Sequence, residues 1–127
     1  MKLNRLIDVF IKRVISINTI NDYRNGCVTI EELDEKIKCN KNSTILDVRT
    51  LMEYNEGHIS GAILIPYNEI LIKANQILKD KNQEIIVYCL NGGRSIKAVK
   101  TLEKIGYTNV YSLNGGILEW TYRFRKK

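Results

Sequence analysis

One proline, one histidine and one tryptophan are spread over 127 residues, and no apolar run approaches the roughly 20 residues that a membrane-crossing helix needs. The single histidine, His58, excludes a histidine-rich metal site built from this chain alone. Cys27, Cys39 and Cys89 form an odd set without paired spacing, which argues against a disulfide framework and a tetrahedral zinc site. A reducing compartment follows as the expectation, and the cytoplasm with it. Asp8, Lys12 and Arg13 interrupt what would have to be the apolar core of a signal peptide. The net charge is +6 with a pI near 9.3, but the basic residues are scattered. That suits small anionic substrates and a solvated basic surface rather than a dedicated nucleic-acid interface.

What is present fits one folded domain. Hydrophobic residues make up 44% and charged residues 27%, and the length allows a single core but not two. Leu3, Leu6, Ile7, Phe10, Ile11, Val14 and Ile17 recur at spacings of three and four, so residues 1–20 read as an amphipathic helix and its exit. Its stripe suits packing on the domain, with a partner or a membrane surface as the other uses. The domain itself is expected over 21–127. Thr29 and Glu32 have capping-box spacing, which starts a helix near Ile30. Short apolar runs at 44–48, 62–65, 84–88 and 110–113 suit strands buried on both faces of a parallel sheet, with Pro66 closing the second. Ala98, Val99, Leu102 and Ile105 share one face of a helix expected over 95–105, stopped by Gly106. Strands alternating with helices predict an α/β fold, whose ligands bind beyond the carboxyl ends of the strands.

The richest stretch is EIIVY followed by Cys89, the loop Leu90, Asn91, Gly92, Gly93, Arg94, and a helix from about Ser95. A buried strand delivers the thiol to the sheet edge. Two glycines permit positive φ values, so that successive N–H groups turn inward as an anion cradle. The helix macrodipole and the Arg94 charge favour the thiolate further. Such surroundings lower a thiol's pKa and make Cys89 the candidate nucleophile.

The stretch CLNGGRS resembles the active-site loop of rhodanese-like domains. ILDVR (Ile45 to Arg49), with Glu53, Tyr54 and GHISGA (Gly57 to Ala62), is similar to that family's first signature, and NGGILEW (Asn114 to Trp120) to its closing element. The resemblance covers residues 27 to 120 in order. It implies a three-layer domain with a parallel sheet of about five strands flanked by helices. It also implies a sulfurtransferase that takes a sulfane sulfur from a donor such as thiosulfate or a persulfide, holds it as a Cys89 persulfide, and passes it to a thiol or other nucleophile. The amides of Leu90 through Arg94, with Ser95 beside them, would bind the outer sulfur. No metal and no cofactor are called for. The partners expected are a small anionic sulfur donor and a thiol or protein acceptor, without nucleic acid.

Two other readings of the same residues stand beside this one. Cys-based phosphatases and arsenate reductases carry a longer loop, wide enough for a tetrahedral oxyanion; here four residues separate Cys89 from Arg94. A noncatalytic rhodanese-like binding module is the other alternative. Leu90 and Asn91 are uncharged where several thiosulfate-using relatives place a basic residue. His58 reads as part of a structural turn rather than a general base. Asp47 and Arg49, at a strand end, are expected to brace loops and pair with neighbours such as Glu53. Cys27 and Cys39 read as inert thiols, with resolution of the persulfide the alternative role for Cys27. Trp120 is expected to anchor packing, and 123–127 to form a frayed tail.

Overall fold

The computed structural model describes residues 26–39 and 42–124. The amphipathic segment expected over residues 1–20 lies outside them. The chain runs β1 (Cys27–Val28), α1 (Ile30–Lys38), β2 (Thr44–Asp47), α2 (Leu51–Glu56), β3 (Ile63–Leu64), a 3-10 turn (Tyr67–Glu69), α3 (Ile70–Ile77), β4 (Ile85–Tyr88), α4 (Gly93–Lys104), β5 (Val110–Leu113) and α5 (Gly116–Phe124). All pairings are parallel, and the five-stranded sheet has the order β1-β5-β4-β2-β3. None of the described helices is long and apolar enough to cross a membrane.

Strand β4 is central because its residues have an apolar layer waiting on each side. All four are buried, and they alternate between two cores. Ile85 and Val87 pack with Ala74 of α3 and with Ala98, Val99 and Leu102 of α4. Ile86 and Tyr88 face the opposite way, toward Ile30 and Leu33 of α1 and Ile117 of α5. The period-two alternation carries one residue beyond the strand, so Cys89 joins the core on the α4 side.

The connections fix where the strand ends gather. From β2 the chain moves outward to the edge strand β3, whereas from β4 it moves the other way, to β5. Strands β2 and β4 are nevertheless direct neighbours, with Asp47 opposite Tyr88. Their carboxyl ends therefore flank the point where the winding reverses, the crevice that α/β sheets use for ligands.

Several boundaries differ from the sequence expectation. Helix α4 starts at Gly93, two residues before Ser95, because the glycine loop supplies its first turn. The apolar run at 62–65 yields a strand of only Ile63–Leu64 at the sheet edge. Strand β1 was not expected, because its two residues are too few for periodicity to show. At the carboxyl end, Arg123 and Phe124 are not frayed: both lie in α5, and Arg123 donates to Glu31 of α1.

Candidate active site

Cys89 sits immediately after β4 with no exposed surface, beneath the loop that leads into α4. Gly92 ends that loop with φ +119, a left-handed conformation that costs glycine little, and it serves as the N-cap of α4. Gly93 was expected to share this positive φ but does not. It is already the first helical residue, and only a helical turn there swings the Ser95 amide back over the sulfur. The N-cap residue has no side chain to satisfy that first turn. The cysteine does so instead: Gly92 N–H donates to Sγ at 3.1 Å and Ser95 N–H at 3.4 Å. The Ser95 hydroxyl lies 3.7 Å from the sulfur and 2.7 Å from the Ser112 hydroxyl on β5.

Burial pushes the Cys89 thiol up, but the Ser95 amide and hydroxyl and the Gly92 and Asn91 amides together outweigh it. The pKa falls below the ordinary thiol value. Arg94 contributes less directly than its charge suggested. Its guanidinium forks onto Glu53 of α2, Nη1 to Oε1 at 2.8 Å and Nη2 to Oε2 at 3.0 Å. Glu53 is thus the partner of Arg94, not of Arg49 as the sequence suggested. The Arg94 hydrogen bond chiefly accounts for a Glu53 carboxyl held at about 2 despite some burial, with Thr50 assisting.

Asp47 and Arg49 occupy the neighbouring strand end as a buried pair. Asp47 accepts from the Arg49 backbone N–H at 2.9 Å, from Arg49 Nη2 at 2.7 Å and from the Tyr88 hydroxyl at 2.6 Å. Arg49 Nη2 donates also to the Gly57 carbonyl at 2.7 Å, and the Tyr88 oxygen accepts from Ile59 N–H at 3.0 Å. The group ties β2, β4 and the turn after α2 together, so it supports the strand end from which the loop departs. His58 is occupied in the same turn, its ring stacked 3.7 Å from that of Tyr54 and Nδ1 2.9 Å from the Tyr54 carbonyl oxygen. Cys39 is exposed and Cys27 half-buried, and none of the three cysteines is in a disulfide. Trp120 packs against Phe124 and the core on the α5 side.

Leu90 and Asn91 form the outward side of the loop; Leu90 is partly exposed, and its carbonyl accepts from Leu118 N–H at 3.1 Å. The Cys89 carbonyl likewise accepts from Ile117 N–H at 2.9 Å. With its carbonyls drawn toward α5, the loop turns its amides toward the sulfur. This contact requires Gly116, which the sequence reading gave no role: φ is +60, and a Cβ there would stand 2.5 Å from the Leu90 oxygen and 2.6 Å from the Cys89 oxygen. The signal was the glycine pair before a helix in NGGILEW. Ser112 left no signal, being one serine in a buried strand.

A sequence profile of the rhodanese-like domain matches residues 29–123. The chain is 33% identical over 90 residues to a sulfurtransferase of Allochromatium vinosum, covering 71% of this chain and 82% of that one. It is 41% identical over 85 residues to a tRNA uridine(34) hydroxylase of Buchnera aphidicola, covering 64% of this chain but only 27% of the hydroxylase. A further relative, from Bacillus subtilis, is spanned over 50% of its length. Among solved structures, a rhodanese-like domain from Anabaena superposes with a TM-score of 0.73 at 30% identity, covering 78% of this chain and 75% of that chain. The chain belongs to the rhodanese-like domain family.

Proposed function

We propose that this domain is a sulfurtransferase in which Cys89 carries the sulfur. The observation behind the reading is the sulfur's environment: a buried thiol with backbone N–H groups of a helix's first turn directed at it, and its pKa lowered by them. A thiolate so held attacks the sulfane sulfur of a donor. One S–S bond forms between Cys89 and that sulfur, and the bond to the donor's remaining atoms breaks, their electron pair leaving with the donor residue (sulfite, when the donor is thiosulfate). The outer sulfur of the persulfide then bears the negative charge. A thiol nucleophile takes it in the second step, and Cys89 leaves as thiolate. The amides of Asn91, Gly92 and Ser95 offset the charge on sulfur at both stages, while the Gly93 N–H is taken by the Asn91 side chain.

The similarity to a sulfurtransferase supports the chemistry, while the match to a hydroxylase covers this one segment of a much longer protein. Uncharged Leu90 and Asn91 favour a persulfide or polysulfide donor over thiosulfate. The four residues between Cys89 and Arg94, fewer than Cys-based phosphatases carry, favour sulfur over a phosphate ester. Incubation with polysulfide, followed by mass spectrometry of the intact protein and its peptides, is expected to place one added sulfur on Cys89. Transfer to a thiol is expected to fall to background in Cys89→Ser. Sulfur found on Cys27 or Cys39 instead, full transfer by Cys89→Ser, or aryl phosphate hydrolysis faster than sulfur transfer would each overturn the reading.

A further inference from the structure

The Ser95 hydroxyl is buried and has three neighbours: the Gly92 carbonyl at 3.0 Å, the Ser112 hydroxyl at 2.7 Å and Cys89 Sγ at 3.7 Å. It has one proton to give. The carbonyl can only accept, so the direction of the bond between the two serines decides how that proton is used. Were Ser95 to donate to Ser112, none would remain for the sulfur. With Ser112 donating to Ser95, the Ser95 proton chooses between the carbonyl and the sulfur, and a negatively charged sulfur is the stronger acceptor.

Ser112 is placed to be that donor. It is 3% exposed, and its backbone is set by parallel pairing to Val87 on one side and Cys27 on the other. Among the described residues its hydroxyl meets one hydrogen-bonding partner, Ser95 Oγ. A buried hydroxyl proton without an acceptor is costly, so the Ser112 proton goes to Ser95.

We propose that Ser112 is a positioning residue for the chemistry of Cys89: by donating to Ser95 Oγ, it commits the Ser95 hydroxyl to serve the cysteine sulfur. The proposal rests on Cys89 being the reacting thiol. In the protonated state S–H points at Ser95 Oγ, and Ser95 donates to the Gly92 carbonyl. On ionisation a rotation about the Ser95 Cβ–Oγ bond carries its proton from the carbonyl to the sulfur, and no heavy atom moves. The bond from Ser112 persists in both states and polarises the Ser95 hydroxyl, which strengthens it as a donor. The charged groups around this chain of hydroxyls are few. Arg94 is neutralised by Glu53, Asp47 by Arg49, and Lys100 and Glu103 line the small groove bordered by Ser112, Cys27, Ile96 and Val99.

The test is the pH dependence of Cys89 alkylation by iodoacetamide, followed peptide by peptide in the full chain without any sulfur donor. Ser112→Ala is expected to move the midpoint up by about half a pH unit and slow alkylation about threefold below the midpoint. Ser112→Thr, which keeps the hydroxyl, is expected to overlay the parent. In a Ser95→Ala background Ser112→Ala is expected to add nothing, because Ser112 acts through Ser95. Superimposed curves for Ser112→Ala and the parent would overturn the proposal. So would equal shifts in the Ala and Thr variants, or an undiminished shift without Ser95. Polysulfide loading is run in parallel: if Cys89 takes up no sulfur while the alkylation pattern holds, the sulfurtransferase reading falls and the role of Ser112 stands.

Discussion

Strands β2 and β4 lie side by side and each runs through a short loop into a helix, yet the two loops treat the helix's first turn in opposite ways. After β2, Thr50 caps α2 with its own side chain: its oxygen accepts from Glu53 N–H while the Glu53 carboxylate accepts from Thr50 N–H. Both ends of the box are thereby satisfied from within the turn. After β4, a glycine takes the cap position of α4, and the two amides that a capping box would have satisfied, those of Gly92 and Ser95, are directed at Cys89 Sγ. One unit is capped by its own side chains, the other by a cysteine sulfur. The Arg94 to Glu53 fork then ties the second unit to the first.

The largest effect is expected where the cysteine loop is held from behind. Gly116→Ala places a Cβ against the Leu90 and Cys89 carbonyls in a positive-φ conformation, so denaturant unfolding is expected to show a loss of about 2 to 3 kcal/mol. Because the clash falls on the loop backbone, alkylation of Cys89 is expected to slow as well. An unchanged Cys89 reactivity would mean that α5 does not set the direction of the amides.

Most of the frame of this comparison was legible in the sequence, and the part that was not is informative. The runs at 44–48, 84–88 and 110–113 gave β2, β4 and β5 because strands buried on both faces need uninterrupted apolar residues. Cys89 stood out because a strand, a glycine loop and an arginine surround it in order. Helix α2 carries the same capping box as α1, but it has six residues, and exposed Leu51 and Met52 give it no apolar stripe to read. The pairing of Arg94 with Glu53 was assigned otherwise because it crosses 41 positions and depends on β2 and β4 being neighbours. Backbone donors carry no letter in a sequence, so the contacts of Gly92 and Ser95 to the sulfur, and of Ile117 and Leu118 to the loop, appear only in three dimensions.

A smaller change sharpens the contrast from the α2 side. Thr50→Ala removes the cap of α2 and is expected to cost about 1 kcal/mol of stability by chemical denaturation. The Cys89 alkylation curve is expected to stay in place, since no atom of Thr50 serves the sulfur. A shifted curve would show that the two units are not separable.

The smallest effect concerns the link between them. Glu53→Gln keeps the capping-box geometry, in which glutamine substitutes, and removes the charge that meets Arg94. The Glu53 carboxyl is held at about 2. A depressed carboxylate contributes stability that is fully present above its unfolded value of about 4.3 and is lost as the pH falls through the folded one. The pair is partly exposed, so at neutral pH the parent is expected to exceed Glu53→Gln by less than about 1 kcal/mol. That margin is expected to vanish as the pH falls from about 4 toward 2. A margin independent of pH would assign the effect to packing rather than charge.

The grip of α5 on the loop also bears on when the site comes into being. Cys89 and its glycines are made well before Gly116, Ile117 and Leu118, whose backbone seats the Cys89 and Leu90 carbonyls. Synthesis is vectorial and slow beside local folding, so a growing chain that ends before Leu118 carries the cysteine and its whole loop without the contacts that orient them. On the ribosome the thiol therefore lacks its oriented amides until α5 has docked against the loop.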